Sequence, residues 1–336
     1  MNGQPRFRWV LDWDVAARYG ESSREWAHHG IALTTSGDLV VMAADGPNVL
    51  LFGPDDRLLS TWKAPVVAGH GLTIAAEHGE DVLWIADNGI TAPPGPDGSY
   101  ASRRKPSGQY GSAVKMTLDG TELLRLTVPP LQEYAAGNFA PTDVAVDERA
   151  FGGSGDVWVA DGYGRHAVHR YSEAGEYRDT ITGEAGEGQF DQPHAVFIDR
   201  RSGQPELYVA DRGNARIQVF GLDGRFRGGF GGGQLVSPGG FAVSGSLLFV
   251  SELDARVTVF DADNEVVGVL GNSGPATRDR AGWPNRLDES KMPVRPHLSP
   301  GRFSTPHGIA TGVDGSIYVC EWLIGGRLIK LERVDA

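Results

Sequence analysis

The sequence predicts an all-β fold, a six-bladed β-propeller whose N-terminal strand closes the ring by joining the last blade. Three observations carry this. A unit of short apolar strands, separated by turns containing Gly or Asp, recurs along the 336 residues. Turn formers are abundant, with 47 glycines and 20 prolines, as many short strands joined by tight turns require. The last unit stops one strand short, while a strand-like segment without a partner, RFRWVLDW, precedes the first.

Taken in order, blade one has HGIALTT, DLVVMAAD, NVLLFG and RLLSTWKA. Blade two has HGLTIAA, DVLWIAD, AVKMTL and ELLRLTV. Blade three has PTDVAVD, DVWVAD, AVHRYS and YRDTIT, and blade four PHAVFID, LYVAD, RIQVFG and RFRGGFG. Blade five has GGFAVSG, LLFVSE, RVTVFD and EVVGVLG. Blade six offers only PHGIATG, SIYVCE and RLIKLERV. An open ring exposes edge strands that invite association, and closure removes them. RFRWVLDW is therefore assigned to the outer edge of blade six, which makes residues 1–336 a single domain with almost no helix. Two insertions interrupt the pattern, residues 91–112 in blade two and residues 272–303 between blades five and six. Both are long and polar, and loops of this kind on a rigid scaffold shape a binding mouth.

Composition narrows the function. The net charge is −12 and no basic stripe is present, which argues against nucleic acid. The single cysteine, Cys320, excludes an intrachain disulfide and reads as a small core residue within IYVCEW. The N-terminal segment has no apolar signal core, and no run approaches the length of a membrane span. The expected setting is cytoplasmic, with a small-molecule or peptide-like substrate as partner.

Three histidines share one phase of the repeat in alternate blades: His70 in GHGLTI, His194 in QPHAVFI and His307 in TPHGIA. In a six-fold ring these blades stand roughly 120° apart, so equivalent inward side chains converge. Three imidazoles with an open fourth position suit a catalytic zinc, or another divalent transition metal, better than a closed structural site. His29 opens blade one at the same phase and is an additional candidate, as ligand, proton carrier or polar lining of a wet channel. Blade three is assigned Asp143 there and blade five Gly240. His28, His78, His166, His169 and His297 have no such phase and read as surface or loop, with His297 placed near the mouth. Tyr163 and Arg212 share another phase, just after the acidic residue ending the second strand, and are expected to overhang the channel. A tyrosine hydroxyl beside a metal and a cation can act as a base. The alternative for Tyr163 is stacking in a turn, and for Arg212 an ion pair. Asp87, Asp161 and Asp211 fit turn-capping roles.

VADRGNARIQVFGLDGRF, residues 209–226, resembles an NHL repeat. With DGYGRHAVHRYS and QPHAVFID it resembles the peptidyl-α-hydroxyglycine α-amidating lyase family over nearly the whole chain. That resemblance implies a six-bladed propeller of the NHL type with zinc on His70, His194 and His307, Tyr163 as catalytic tyrosine and Arg212 as one of two arginines. The second arginine position is Ala44, and the acidic calcium ligand of the family falls at Gly308, although the Leu72 carbonyl matches. The resemblance thus implies the zinc cage, while the carboxylate for Ca2+ is missing. The expected activity is C–N cleavage of a carbinolamide to an amide and an aldehyde. The alternatives are a non-enzymatic NHL propeller that binds protein or ligand, a zinc-dependent hydrolase or hydratase on the same site, and a lactonase-like propeller, against which the inner histidines count.

Overall fold

The computed structural model describes residues 6–18, 25–44, 46–100, 103–104, 111–135, 137–271 and 279–334. Six four-stranded antiparallel sheets form the blades. The innermost strands are Ile31–Leu33, Gly69–Glu77, Asp143–Val146, Pro193–Asp199, Pro238–Ser244 and Pro306–Thr311. Each packs against the next, and the last packs against the first, which closes the ring. No α-helix occurs among the described residues, only short 3-10 turns.

Closure follows the arrangement read from the sequence. Phe7–Trp9 pairs antiparallel with Arg327–Arg333, with Phe7 opposite Arg333 and Trp9 opposite Leu331. Phe7 packs edge-on against Phe249 and Trp9 against Phe303, so the N-terminal strand is fixed by rings as well as by the ladder.

The strands alternate in register, and this sends apolar side chains to both faces of each blade. The core accordingly lies between blades. Ala32, Val40 and Met42 of blade one pack with Leu83, Ile85 and Val114 of blade two. Phe190 packs with Trp158 and Phe220 between blades three and four. Cys320 and Leu328 close the seam with Ile31, Leu39 and Val41 of blade one. Cys320 is the buried core residue the sequence suggested, and burial pushes its thiol up to about 12.

The innermost strands line an axial cavity of about 430 Å³. His70, His194 and His307 each stand at the second residue of their strand, at one rim of it. Both insertions fold over that rim. Ile90–Thr91 pairs with Arg103–Arg104, and Arg286–Leu287 pairs with Pro293–Val294. Residues 101–102 and 105–110 of the first insertion, and 272–278 of the second, lie outside the described residues.

Removing residues 1–9 takes away the strand that covers Arg327–Arg333 and leaves an unpaired edge. We expect a melting temperature lower by at least several degrees and concentration-dependent association. Unchanged melting and a monodisperse species would show that the strand does not close the ring.

Candidate metal centre

Local backbone irregularities aim the histidines. In blade four the ladder passes from Pro193 opposite Asp211 to Ala195 opposite Ala210, leaving His194 as the extra residue of a β-bulge. His307 is bulged in the same way between Pro306 and Gly308, and His70 lies in the shift between Gly69 and Leu72. A bulge breaks the strict alternation of side chains and re-aims one residue. Here it turns the imidazole from the sheet toward the axis. The neighbouring glycine in blade two is required by close approach: a Cβ on Gly71 would stand 2.5 Å from the Thr142 carbonyl oxygen.

The three rings are held in the same manner. His70 Nδ1 donates to the Thr142 carbonyl at 2.6 Å, His194 Nδ1 to the Gly239 carbonyl at 2.6 Å, and His307 Nδ1 to the His29 carbonyl at 3.2 Å. Each histidine of an even-numbered blade thus bonds the backbone of the next odd-numbered blade. These acceptors correct three assignments from the sequence. The residues at the histidine phase in blades three and five are Thr142 and Gly239, one position before Asp143 and Gly240. His29 contributes its carbonyl, while its imidazole packs beside Gly326 with Nδ1 unpaired. Asp143 instead faces the cavity, accepts from the Val196 amide at 3.1 Å, and is pushed up to about 7 by burial.

The fourth imidazole at the centre belongs to His28, which the sequence assigned to surface or loop and which does lie in the loop before Ile31, with its ring at the centre. His28, His70, His194 and His307 bring one nitrogen each within 4.8 Å of one another. Blade one's inner strand begins only at Ile31, so both histidines precede the ladder, and His28, one residue before the phase position held by His29, falls outside the phase rule. His28 Nε2 lies 3.1 Å from His70 Nε2 and 3.0 Å from Tyr163 Oη. His169 is a second correction. It is fully buried in blade three, bonded to Tyr134 and Thr180.

The donor set fits a cation. A carbonyl only accepts, so Nδ1 of His70, His194 and His307 carries the proton and Nε2 presents a lone pair. His70 Nε2 and His307 Nε2 stand 3.1 Å apart with no proton to share. Such a pair is repulsive unless a cation lies between them. Four imidazole nitrogens around a tetrahedral zinc would be ~3.3 Å apart, close to the shortest spacings here. Burial holds His70 down at about 3 and lowers His28, His194 and His307 well below the usual range, so all four stay neutral and able to ligate.

Tyr163 and Arg212 do overhang the site. Tyr163 Oη lies 3.1 Å from His194 Nε2 and accepts from Arg212 Nη2 at 3.1 Å. Arg212 also covers the Tyr163 ring at 5.5 Å and donates to Gln192 Oε1. It makes no ion pair among the described residues, so its charge faces the site uncompensated. Asp87, Asp161 and Asp211 cap incoming loop amides, as at Ala68, Ala140 and Asp191. Ala44 leaves blade one without a cation at the phase of Arg212, and a side chain at Gly308 would stand 2.8 Å from Cys320 Sγ.

An aromatic wall borders the centre. Trp322 stacks on Trp26 at 5.6 Å, meets Trp283 edge-on at 5.5 Å and lies 5.6 Å from His28. Tyr100 packs edge-on against Trp26. These rings bring together both insertions, blade six and the segment before blade one. Trp322 was accessible to the phase rule, since it follows Glu321 as Arg212 follows Asp211.

The buried neutral histidines set a pH dependence. An unfolded histidine takes up a proton near 6.5, whereas folded His70 and His169 do so near 3 and His29 near 4. Below about pH 6.5 the unfolded chain therefore binds more protons, and stability falls as pH falls, by up to ~1.4 kcal/mol per pH unit for each such group. Denaturant melts of metal-free protein should give a lower midpoint at pH 5 than at pH 7. Equal midpoints would contradict neutral buried imidazoles.

No family model matches the chain. It is 28% identical over 229 residues to NHL repeat-containing protein 3 of Mus musculus, covering 65% of this chain and 58% of the relative. It is 29% identical over 279 residues to peptidyl-alpha-hydroxyglycine alpha-amidating lyase 1 of Drosophila melanogaster, covering 75% of this chain and 42% of that protein. The chain thus matches roughly half the length of these curated relatives. Among solved structures, virginiamycin B lyase from Staphylococcus aureus superposes with a TM-score of 0.54 at 12% identity, over 98% of this chain and 99% of that one, which shows the shared fold. No helix among the described residues is long and apolar enough to cross a membrane. The chain is an NHL-type six-bladed β-propeller that resembles the peptidyl-α-hydroxyglycine α-amidating lyase.

Proposed function

We propose that this protein is a zinc-dependent lyase that cleaves the C–N bond of a carbinolamide, an α-hydroxyglycine-like compound, to a primary amide and an aldehyde such as glyoxylate. One observation carries the reading: Tyr163 Oη stands against His194 and His28 and under Arg212, beside three imidazoles whose Nε2 atoms are fixed as lone-pair donors. The similarity to the Drosophila amidating lyase supports it.

His70, His194 and His307 would hold the zinc, which when bound supplies Lewis-acid polarisation of an oxygen ligand. The remaining chemistry belongs to side chains. Tyr163 Oη, as a phenolate supported by the Arg212 guanidinium, would take the proton of the substrate hydroxyl and return it to the leaving nitrogen. The carbinol carbon becomes a carbonyl as its bond to nitrogen breaks. The departing amide nitrogen then receives a proton, so that substrate and products balance without added water. Arg212, without an ion pair among the described residues, also suits a substrate carboxylate. The absent blade-one arginine favours a substrate that needs a single cation there.

Zinc analysis should find one equivalent in the wild type and little in His194→Ala. Absence of metal from both proteins would leave the non-enzymatic, binding propeller as the reading. Incubation with α-hydroxyhippurate should release glyoxylate. Tyr163→Phe should lower kcat by ~10²–10⁴-fold with metal content intact, and Arg212→Ala should raise KM. Full glyoxylate release by Tyr163→Phe would remove Tyr163 from the chemistry.

A further inference from the structure

We infer that His28 is a fourth, exchangeable ligand, which closes the centre at rest and leaves it when an exogenous ligand arrives. This rests on the reading that the histidines hold a metal, and it deepens that reading by saying how the site opens. Position makes His28 a ligand. Its Nε2 belongs to the same cluster as those of His70, His194 and His307, 3.1 Å from His70 Nε2. Its ring packs at 4.3 Å from the His70 ring and 4.7 Å from the His307 ring.

Anchoring makes it exchangeable. A metal-binding imidazole is normally fixed by a hydrogen bond from its other ring nitrogen. His70, His194 and His307 have that bond, each to a backbone carbonyl. His28 Nδ1 has no such partner among the described residues. The backbone differs in the same sense. The three anchored histidines sit within strand ladders, whereas His28 lies between the isolated bridge at Trp26 and the strand starting at Ile31. A place to go also exists. Tyr163 Oη lies 3.0 Å from His28 Nε2, and the rings of Tyr163 and Trp322 flank the imidazole. A released His28 keeps a hydrogen bond and an aromatic surface, so exchange costs little. His28 is also half-buried while the other three are buried, which places it on the solvent side of the centre.

X-ray absorption of the zinc-loaded wild type should count four imidazoles, and His28→Ala should count three with an added oxygen. With Co2+ as a probe, the visible spectrum of His28→Ala should differ from that of the wild type and return toward it on addition of imidazole. Zn2+ affinity should fall at least ~10-fold in His28→Ala. His28→Gln, which keeps a polar side chain at this position, should behave like His28→Ala, and circular dichroism checks that both remain folded. Azide should perturb the Co2+ spectrum of both variants at lower concentration than that of the wild type. Three imidazoles in the wild type, or variants with wild-type spectra and affinity, would overturn the inference while leaving the three-histidine centre intact. A protein that takes up neither Zn2+ nor Co2+ would overturn both.

Discussion

Three hydrogen bonds, each from a histidine Nδ1 to a backbone carbonyl of the following blade, are the constraint on which the centre depends. They fix the tautomers of His70, His194 and His307 and so leave lone pairs on Nε2. They also join blade two to three, four to five and six to one, so the chemistry of the site and the packing of the ring rest on the same contacts. Without them the imidazoles could satisfy one another through shared protons. With them, His70 Nε2 and His307 Nε2 face each other with nothing to share, a conflict that a bound cation would resolve.

The arrangement is three-fold within a six-fold ring. Even-numbered blades supply imidazoles, and odd-numbered blades supply the carbonyls of His29, Thr142 and Gly239 at the same phase. This accounts for His29, whose identity suggests a ligand while its backbone does the work. It also explains why an apolar, glycine-lined rim is compatible with a polar centre: small residues let neighbouring inner strands approach closely enough for ring nitrogen to reach carbonyl. Beside this ring lies a layer made of His28, Tyr163, Arg212 and the tryptophan wall, built from segments outside the inner ladders.

Much of this was legible in the sequence. The repeat gave the blade number, the missing strand of blade six gave the closure by Phe7–Trp9, and the histidine phase picked out residues that do meet. The acidic residues ending the second strands read correctly as caps because their role is local. His169 was misread because burial and partners such as Tyr134 come from another part of the chain. Gly240 was misplaced by one residue because the bulge at Gly239 inserts a residue without leaving a mark in hydrophobic alternation, and Asp143 because the blade-three ladder begins only there, one residue after Thr142.

The sequence by itself determined the ring, its closure and the three histidines, since these follow from periodicity, and periodicity is a local property repeated along the chain. Tertiary structure alone decided which of two adjacent histidines reaches the axis. His28 and His29 differ by one position on a segment with no ladder to impose alternation. Their directions are set by what surrounds them: Gly326 makes room for the His29 ring, and Tyr163 and Trp322 receive that of His28. Those neighbours come from blades three and six, far away in the chain, and only closure of the ring brings them within reach.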